Sequence, residues 1–197
     1  MRAGLTVERL VEAGACVADE AGFDAVTPTA LARLFDVKVA SLYSHIANAD
    51  DLKARVALFA LDRLADRIAE AIAGRSGKDA LVALANVHRD FARQHPGLFA
   101  AIRHPLEAAT AARSAGVRIA VLTRSALQGY RLDDTTEVHA IRLLASVMLG
   151  FSMLELTGNF DHSQPPPDLS WRVSIEALHA MLCRLSDDAA KTKSIGS

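Results

Sequence analysis

Aromatic residues make up only 5% of this chain, cysteine occurs twice in 197 residues, and alternating β-branched runs are almost absent. Without such alternation no strand is expected, and the three-to-four spacing of abundant Ala and Leu points to an all-α fold. The two cysteines, Cys16 and Cys183, each sit inside an apolar helical pattern and far apart, which suggests buried thiols rather than a bridge. No run approaches the roughly 18 consecutive apolar residues of a membrane span, and the N-terminus carries charges where a signal peptide would be apolar. A soluble, cytoplasmic chain with no membrane partner is expected. Gly-rich phosphate loops, nucleophile elbows and carboxylate pairs on a shared apolar helix face are also missing, so enzymatic chemistry and a cofactor are not expected. His88, His95, His104 and His139 lack a second ligand at metal-binding spacing, so no metal is expected either. No repeat of 20 to 50 residues is visible, which disfavours a helical solenoid.

What the chain does have is hydrophobic content, 51%, enough to fill one sizeable core or two modest ones. Its net charge is -1, with no overall bias toward nucleic acid. Residues 1–50 carry four basic side chains against seven acidic ones, a net of -3, so any DNA contact there must depend on local placement.

Apolar positions from Thr6 to Ala21 predict a first helix stopped at Gly22. Thr27 followed by Pro28 predicts a second helix to about Phe35, since threonine caps the helix and proline lacks only an N–H that would be unbonded there. A short connection leads to a third helix, Val39 to Ile46, with Leu42 and Ile46 facing inward. Asn48 or Asp50 caps a long connector over 51–73. Beyond Gly74 to Gly77, helices are expected over Asp79–His95, Gly97–Arg103, Pro105–Gln128, Asp133–Thr157 and Leu169–Leu185, with a polar, frayed tail. The domains are therefore 1–50, an N-terminal three-helix helix-turn-helix unit; 51–187, an antiparallel helical bundle joined to it by the long helix; and 188–197, the tail.

Three short helices with a tight second connection can lay one helix in the major groove. The residues sharpen this: Glu20, Ala21, Gly22 and Phe23 ending helix 1, the Thr27 cap, Leu31 and Ala32, Val37, Leu42 and Tyr43, His45 and Leu52 together resemble the N-terminal pattern of the TetR/AcrR family of repressors. That resemblance implies double-stranded operator DNA as a partner. Thr27 and Thr29 would meet a phosphate, Lys38, Val39, Ala40, Ser41, Ser44 and His45 would face the groove, and Tyr43 would contact the backbone. Two departures stand out. Asp36 occupies the turn where the family often has glycine, a position aspartate tolerates, and Ala49 replaces a frequent lysine, removing a phosphate contact.

Farther on, His95, Pro96, Gly97, Leu98 and Phe99, then Arg142, Gly150, Phe151, Leu154, Glu155, Gly158, Asn159 and Phe160, resemble the WHG-type effector domain of the same family, with Leu149 where that branch often has histidine. This implies a dimer interface and a pocket. Phe91, Leu98, Phe99, Leu122, Met148 and Phe151 are candidates to line it for a small, largely apolar effector, with His88 and His139 as polar groups. The nearly all-apolar penultimate helix needs cover on more than one face, which a homodimeric four-helix interface would supply.

The expectation is a ligand-responsive transcriptional regulator, a repressor. Two alternatives stay open: a helical small-molecule-binding protein that has lost specific DNA binding, suggested by the acidic first domain, and a purely structural helical protein with neither cavity nor DNA site.

Overall fold

In the computed structural model, which describes residues 5–195, the chain is helical and shows no strand among the described residues. Among the described residues ten α-helices follow in order: α1 Val7–Ala21, α2 Pro28–Phe35, α3 Val39–Leu42, α4 Ala49–Ile72, α5 Gly77–Gln94, α6 Pro96–Ala101, α7 Ala108–Ala111, α8 Ala115–Leu127, α9 Asp134–Leu156 and α10 Pro167–Ile195. Local chemistry sets most starts. Thr6 Oγ1 accepts from the Arg9 N–H at 3.3 Å, Thr27 Oγ1 from the Ala30 N–H at 3.1 Å, and Asp133 from Thr135 and Thr136. At α4 the capping is reciprocal: Asn48 Oδ1 accepts from the Asp51 N–H and Asp51 Oδ2 from the Ala47 N–H, both at 2.8 Å.

Several elements depart from the sequence expectation. Helix α3 ends at Leu42 instead of Ile46, because the next turn tightens. The His45 N–H donates to the Leu42 carbonyl at 2.8 Å, and the Ser44 hydroxyl takes the Ser41 carbonyl at 2.8 Å. The expected single helix over 105–128 is broken into α7 and α8. Ser114 closes one and opens the other, its hydroxyl donating to Ala111 O at 2.8 Å and accepting from the Gly116 N–H at 3.2 Å. Helix α10 continues to Ile195, through residues expected as a polar tail; residues 196 and 197 lie outside the described part. Both thiols are free, but Cys16 and Cys183 are exposed rather than buried. Helix α9 is long and apolar enough, by length and composition, to cross a membrane, although its apolar positions are interrupted by Arg142 and Glu155.

The chain forms two compact units, one of residues 1–63 with 94–117, the other of residues 64–93 with 118–197. Segment 94–117, placed by the sequence in the larger second domain, thus belongs with α1. In this first unit Leu10, Ala18, Val26, Leu31, Leu42 and Leu52 are fully buried. Gly14 admits α4 closely, since a Cβ there would lie 2.8 Å from Val56 Cγ2. Helix α6 approaches α1 backbone to backbone: a Cβ on Gly97 would fall 1.9 Å from the Ala18 carbonyl oxygen. The Asp19 carboxylate secures that approach, accepting from the Leu98 N–H at 2.9 Å and pairing with His95 Nδ1 at 2.7 Å.

In the second unit the core is built from Leu64, Ile68, Leu81, Leu84, Phe91, Leu127, Leu144, Met148, Trp171 and Leu182. Helix α9 turns only the row Ala140, Leu144, Met148 and Ser152 inward; Leu143, Met153, Leu154 and Leu156 stay about 40% exposed.

Candidate functional site

Helices α2 and α3 are joined by a turn that depends on one residue. Asp36 takes a left-handed conformation at φ 53° and ψ 49°, and the Val37 N–H reaches back to the Ala32 carbonyl at 3.0 Å. This satisfies a carbonyl at the end of α2 and reverses the chain without glycine. Beyond the turn, Leu42 at 0% and Ile46 at 3% exposure anchor α3 in the core.

That anchoring leaves Lys38, Ala40, Ser41, Tyr43 and Ser44 exposed on one short stretch, with Val39 and His45 half-buried. Lys38 has no ion pair among the described residues. Tyr43 is 52% exposed, so its ring is not stapled into the core. Thr29 is exposed in the first turn of α2, while Thr27 spends its oxygen on the Ala30 N–H and keeps an O–H to donate. Ser44, whose hydroxyl proton is engaged, keeps lone pairs to accept. A shallow hollow bounded by Thr29, Arg33, Asp36, Lys38 and Val39 runs along this surface. Glu8 on α1 is nearby. Hydrogen bonds from its own N–H and from the Thr6 hydroxyl hold its carboxyl below the usual carboxylate range, and the charge of His45 adds to this.

The residues proposed for an effector separate. His88, Phe91, Leu122, Met148 and Phe151 all lie in the second unit, the first two and Met148 buried. Phe99 is buried in the first unit, under Arg103, because the backbone contact at Gly97 commits α6 to α1. His139 is exposed on α9. Phe151 is engaged by aromatic neighbours, with ring centroids 4.9 Å from both Phe160 and Trp171.

The sequence reading missed a polar cluster built around Arg89. Its guanidinium, 6% exposed, donates from Nε to Glu155 at 2.9 Å, pairs with Asp168 at 2.8 Å, and lies 5.3 Å from the centroids of both Phe151 and Trp171. Arg93 also reaches Glu155, at 2.8 Å, and the Trp171 indole N–H donates to Asn86. Burial pushes the Glu155 carboxyl up, but hydrogen bonds from Arg89 and Arg93 outweigh it and leave it below the ordinary range. A cleft of about 410 Å³ opens beside this cluster between α5 and α10, lined by Asn86, Asp90 and Arg172 among others. An arginine on the inward-facing row of Leu81, Ala85 and Ala92 was the available signal, since a buried charge requires a partner.

His88 is the neighbouring buried group. Its Nδ1 lies 2.9 Å from the Leu84 carbonyl, which only accepts, so Nδ1 carries the proton. Burial lowers its pKa below the ordinary histidine value, against the hydrogen bond to the Leu84 carbonyl, which raises it.

A family model described as the tetracyclin repressor-like C-terminal domain matches residues 81–178. The HTH-type transcriptional regulator Rv0681 of Mycobacterium tuberculosis is 32% identical over 165 residues, which span 81% of this chain and 74% of that protein. The HTH-type transcriptional regulator YobS of Bacillus subtilis is 29% identical over 163 residues, 83% of this chain and 85% of that one. Among solved structures, BioQ of Mycobacterium smegmatis, crystallised with its double-stranded DNA operator, superposes with a TM-score of 0.69 at 20% identity, covering 91% of this chain and 99% of its own. That last likeness establishes the helical fold.

Proposed function

Since the chain belongs to the TetR family of helix-turn-helix transcriptional regulators, we propose that it is a ligand-responsive repressor. It binds a pseudo-palindromic operator as a homodimer and leaves it when a small effector binds. The observation that carries this reading is the exposed row of Lys38, Ala40, Ser41, Tyr43 and Ser44 set over the buried Leu42 and Ile46. Such a row offers hydrogen bonding to base edges from Lys38 and Ser41, and a methyl surface from Val39 and Ala40 for thymine. Tyr43 and Thr29 stand where they can hold the phosphate backbone, with the remaining Thr27 proton beside them. The operator-bound structure of BioQ supports the same use of this fold.

The effector and dimer roles fall to residues 51–187. Exposed Leu143, Met153, Leu154, Leu169 and Val173 on α9 and α10 favour a second copy of the chain as their cover. In the dimer the two α3 helices occupy successive major grooves roughly 34–36 Å apart. An effector that prefers a conformer with another spacing shifts the population away from DNA, and a few kcal/mol of differential affinity suffices. Helix α4 carries the change, because its single run Ala49–Ile72 supplies residues to both compact units. A chain acting on operator DNA works in the cytoplasm.

The rival, an effector-binding protein that no longer reads DNA, draws on the net charge of -3 in residues 1–50. Against it stands the exposed Lys38 free of acidic partners among the described residues. Selection from random duplexes separates the two. Enrichment of an inverted repeat supports the repressor, and a folded dimer that enriches nothing supports the rival.

A further inference from the structure

Residues 1–50 carry seven acidic side chains against four basic ones, so any surface there that meets DNA must gather the few cations available. The four are Arg2, Arg9, Arg33 and Lys38. Arg2 lies outside the described residues. Arg9 is committed within its own unit, with its guanidinium 5.5 Å from the centroid of the Phe35 ring. Arg33 and Lys38 remain, both exposed and both without a partner among the described residues.

These two cations belong to different elements yet line the same hollow. Arg33 stands in the last turn of α2 and Lys38 immediately before α3, with Thr29, Asp36 and Val39 also in the lining. Asp36 is the one carboxylate there, and it already has a partner. Along α2, Arg33 follows Thr29 by four residues, so the two exposed side chains share one helix face. A basic residue in the last turn also suits the helix dipole, but that role does not require it to face a second cation across a hollow.

We infer that Arg33 is a DNA-contacting residue, its guanidinium and the Thr29 hydroxyl together holding one backbone phosphate of a strand that runs along the hollow. This rests on the operator-binding reading above and adds to it a contact on α2, outside the exposed row of α3. The planar guanidinium offers two parallel N–H groups to the phosphate oxygens, and the contact carries no sequence information, whereas Lys38 keeps the base edge given to it above.

The test is anisotropy of the full-length protein on the selected inverted repeat and on a scrambled duplex, across a salt series, for wild type, Arg33→Ala and Arg33→Lys. Arg33→Ala is expected to weaken both duplexes by a similar factor and to lower the slope of log affinity against log salt by about 0.9 per contacted phosphate, about 1.8 for a dimer. Its Tm should stay within about 2 °C of wild type, since the side chain is exposed and unpartnered. Arg33→Lys, which keeps the charge, should restore the slope. Repeats carrying a single uncharged methylphosphonate in each half-site locate the phosphate: at one position wild type loses affinity and Arg33→Ala loses no more. An Arg33→Ala protein with wild-type affinity and slope, or a loss confined to the inverted repeat, would overturn the inference while leaving the repressor reading in place. A wild type without preference for the repeat, whose slope still falls in Arg33→Ala, sinks the repressor reading alone, and a wild type that binds no duplex overturns both.

Discussion

The two compact units use their polar groups in opposite places. In the unit of α1–α3 and α6, polar side chains cap helix ends near the surface: Thr6, Thr27, the Asn48–Asp51 pair, and Asp19 reaching to α6. In the unit of α5, α9 and α10 they lie inside, as Arg89 with Glu155, His88 and Ser152. The first arrangement leaves only apolar side chains in the buried class among its described residues, with His104 Nε2 the polar atom closed off there without a hydrogen bond. The second buries its hydrogen-bonding groups, where Arg89 and Glu155 depend on each other and Ser152 Oγ is left without a partner.

Four perturbations break or sharpen this contrast. Glu155→Ala has the largest expected effect, about 3–5 kcal/mol of lost stability in urea titration, because it leaves the buried guanidinium of Arg89 with only the exposed carboxylate of Asp168 as its counter-ion. The pH dependence has a definite sign. The folded Glu155 carboxyl is depressed, so its contribution is complete above the unfolded value of about 4.3 and is lost as pH falls through the lower folded value. Glu155→Gln should therefore flatten the acid limb of the stability curve while leaving neutral stability below wild type.

Gly97→Ala attacks the first unit instead. Its methyl would overlap the Ala18 carbonyl, so α6 must lift from α1, costing about 3 kcal/mol by denaturant unfolding and weakening operator binding along with it. A variant with full stability would show that α6 is not tied to α1 as described. Val173→Glu tests the uncovered face: Val173 is 67% exposed in a single chain. Sedimentation velocity should show a shift toward monomer of about 2 kcal/mol, roughly 30-fold in Kd.

Much of the fold was legible because its signals are local. Thr27-Pro28 places α2, Asp133 opens α9, and the left-handed Asp36 makes the turn without glycine, all within a few residues. The Asp19–His95 contact spans 76 positions, and nothing local to either residue discloses it. Phe99 was therefore assigned to an effector cavity although it is buried in the unit of α1. Cys16 and Cys183 follow apolar neighbours in sequence but face solvent, since one apolar helix can bury only the row its neighbours cover. The surface of α3 was the most readable part of the site, because two buried anchors four residues apart dictate which side chains are left outside.

The most direct test of the central claim is fluorescence anisotropy of the selected duplex across a salt series, comparing wild type with Lys38→Ala. The account predicts tighter binding to the inverted repeat than to a scrambled duplex. It also predicts that Lys38→Ala costs about 1–3 kcal/mol if the lysine reads a base, or lowers the salt slope by about one if it meets a phosphate. Equal binding of both duplexes by both proteins, at every salt concentration, would contradict it.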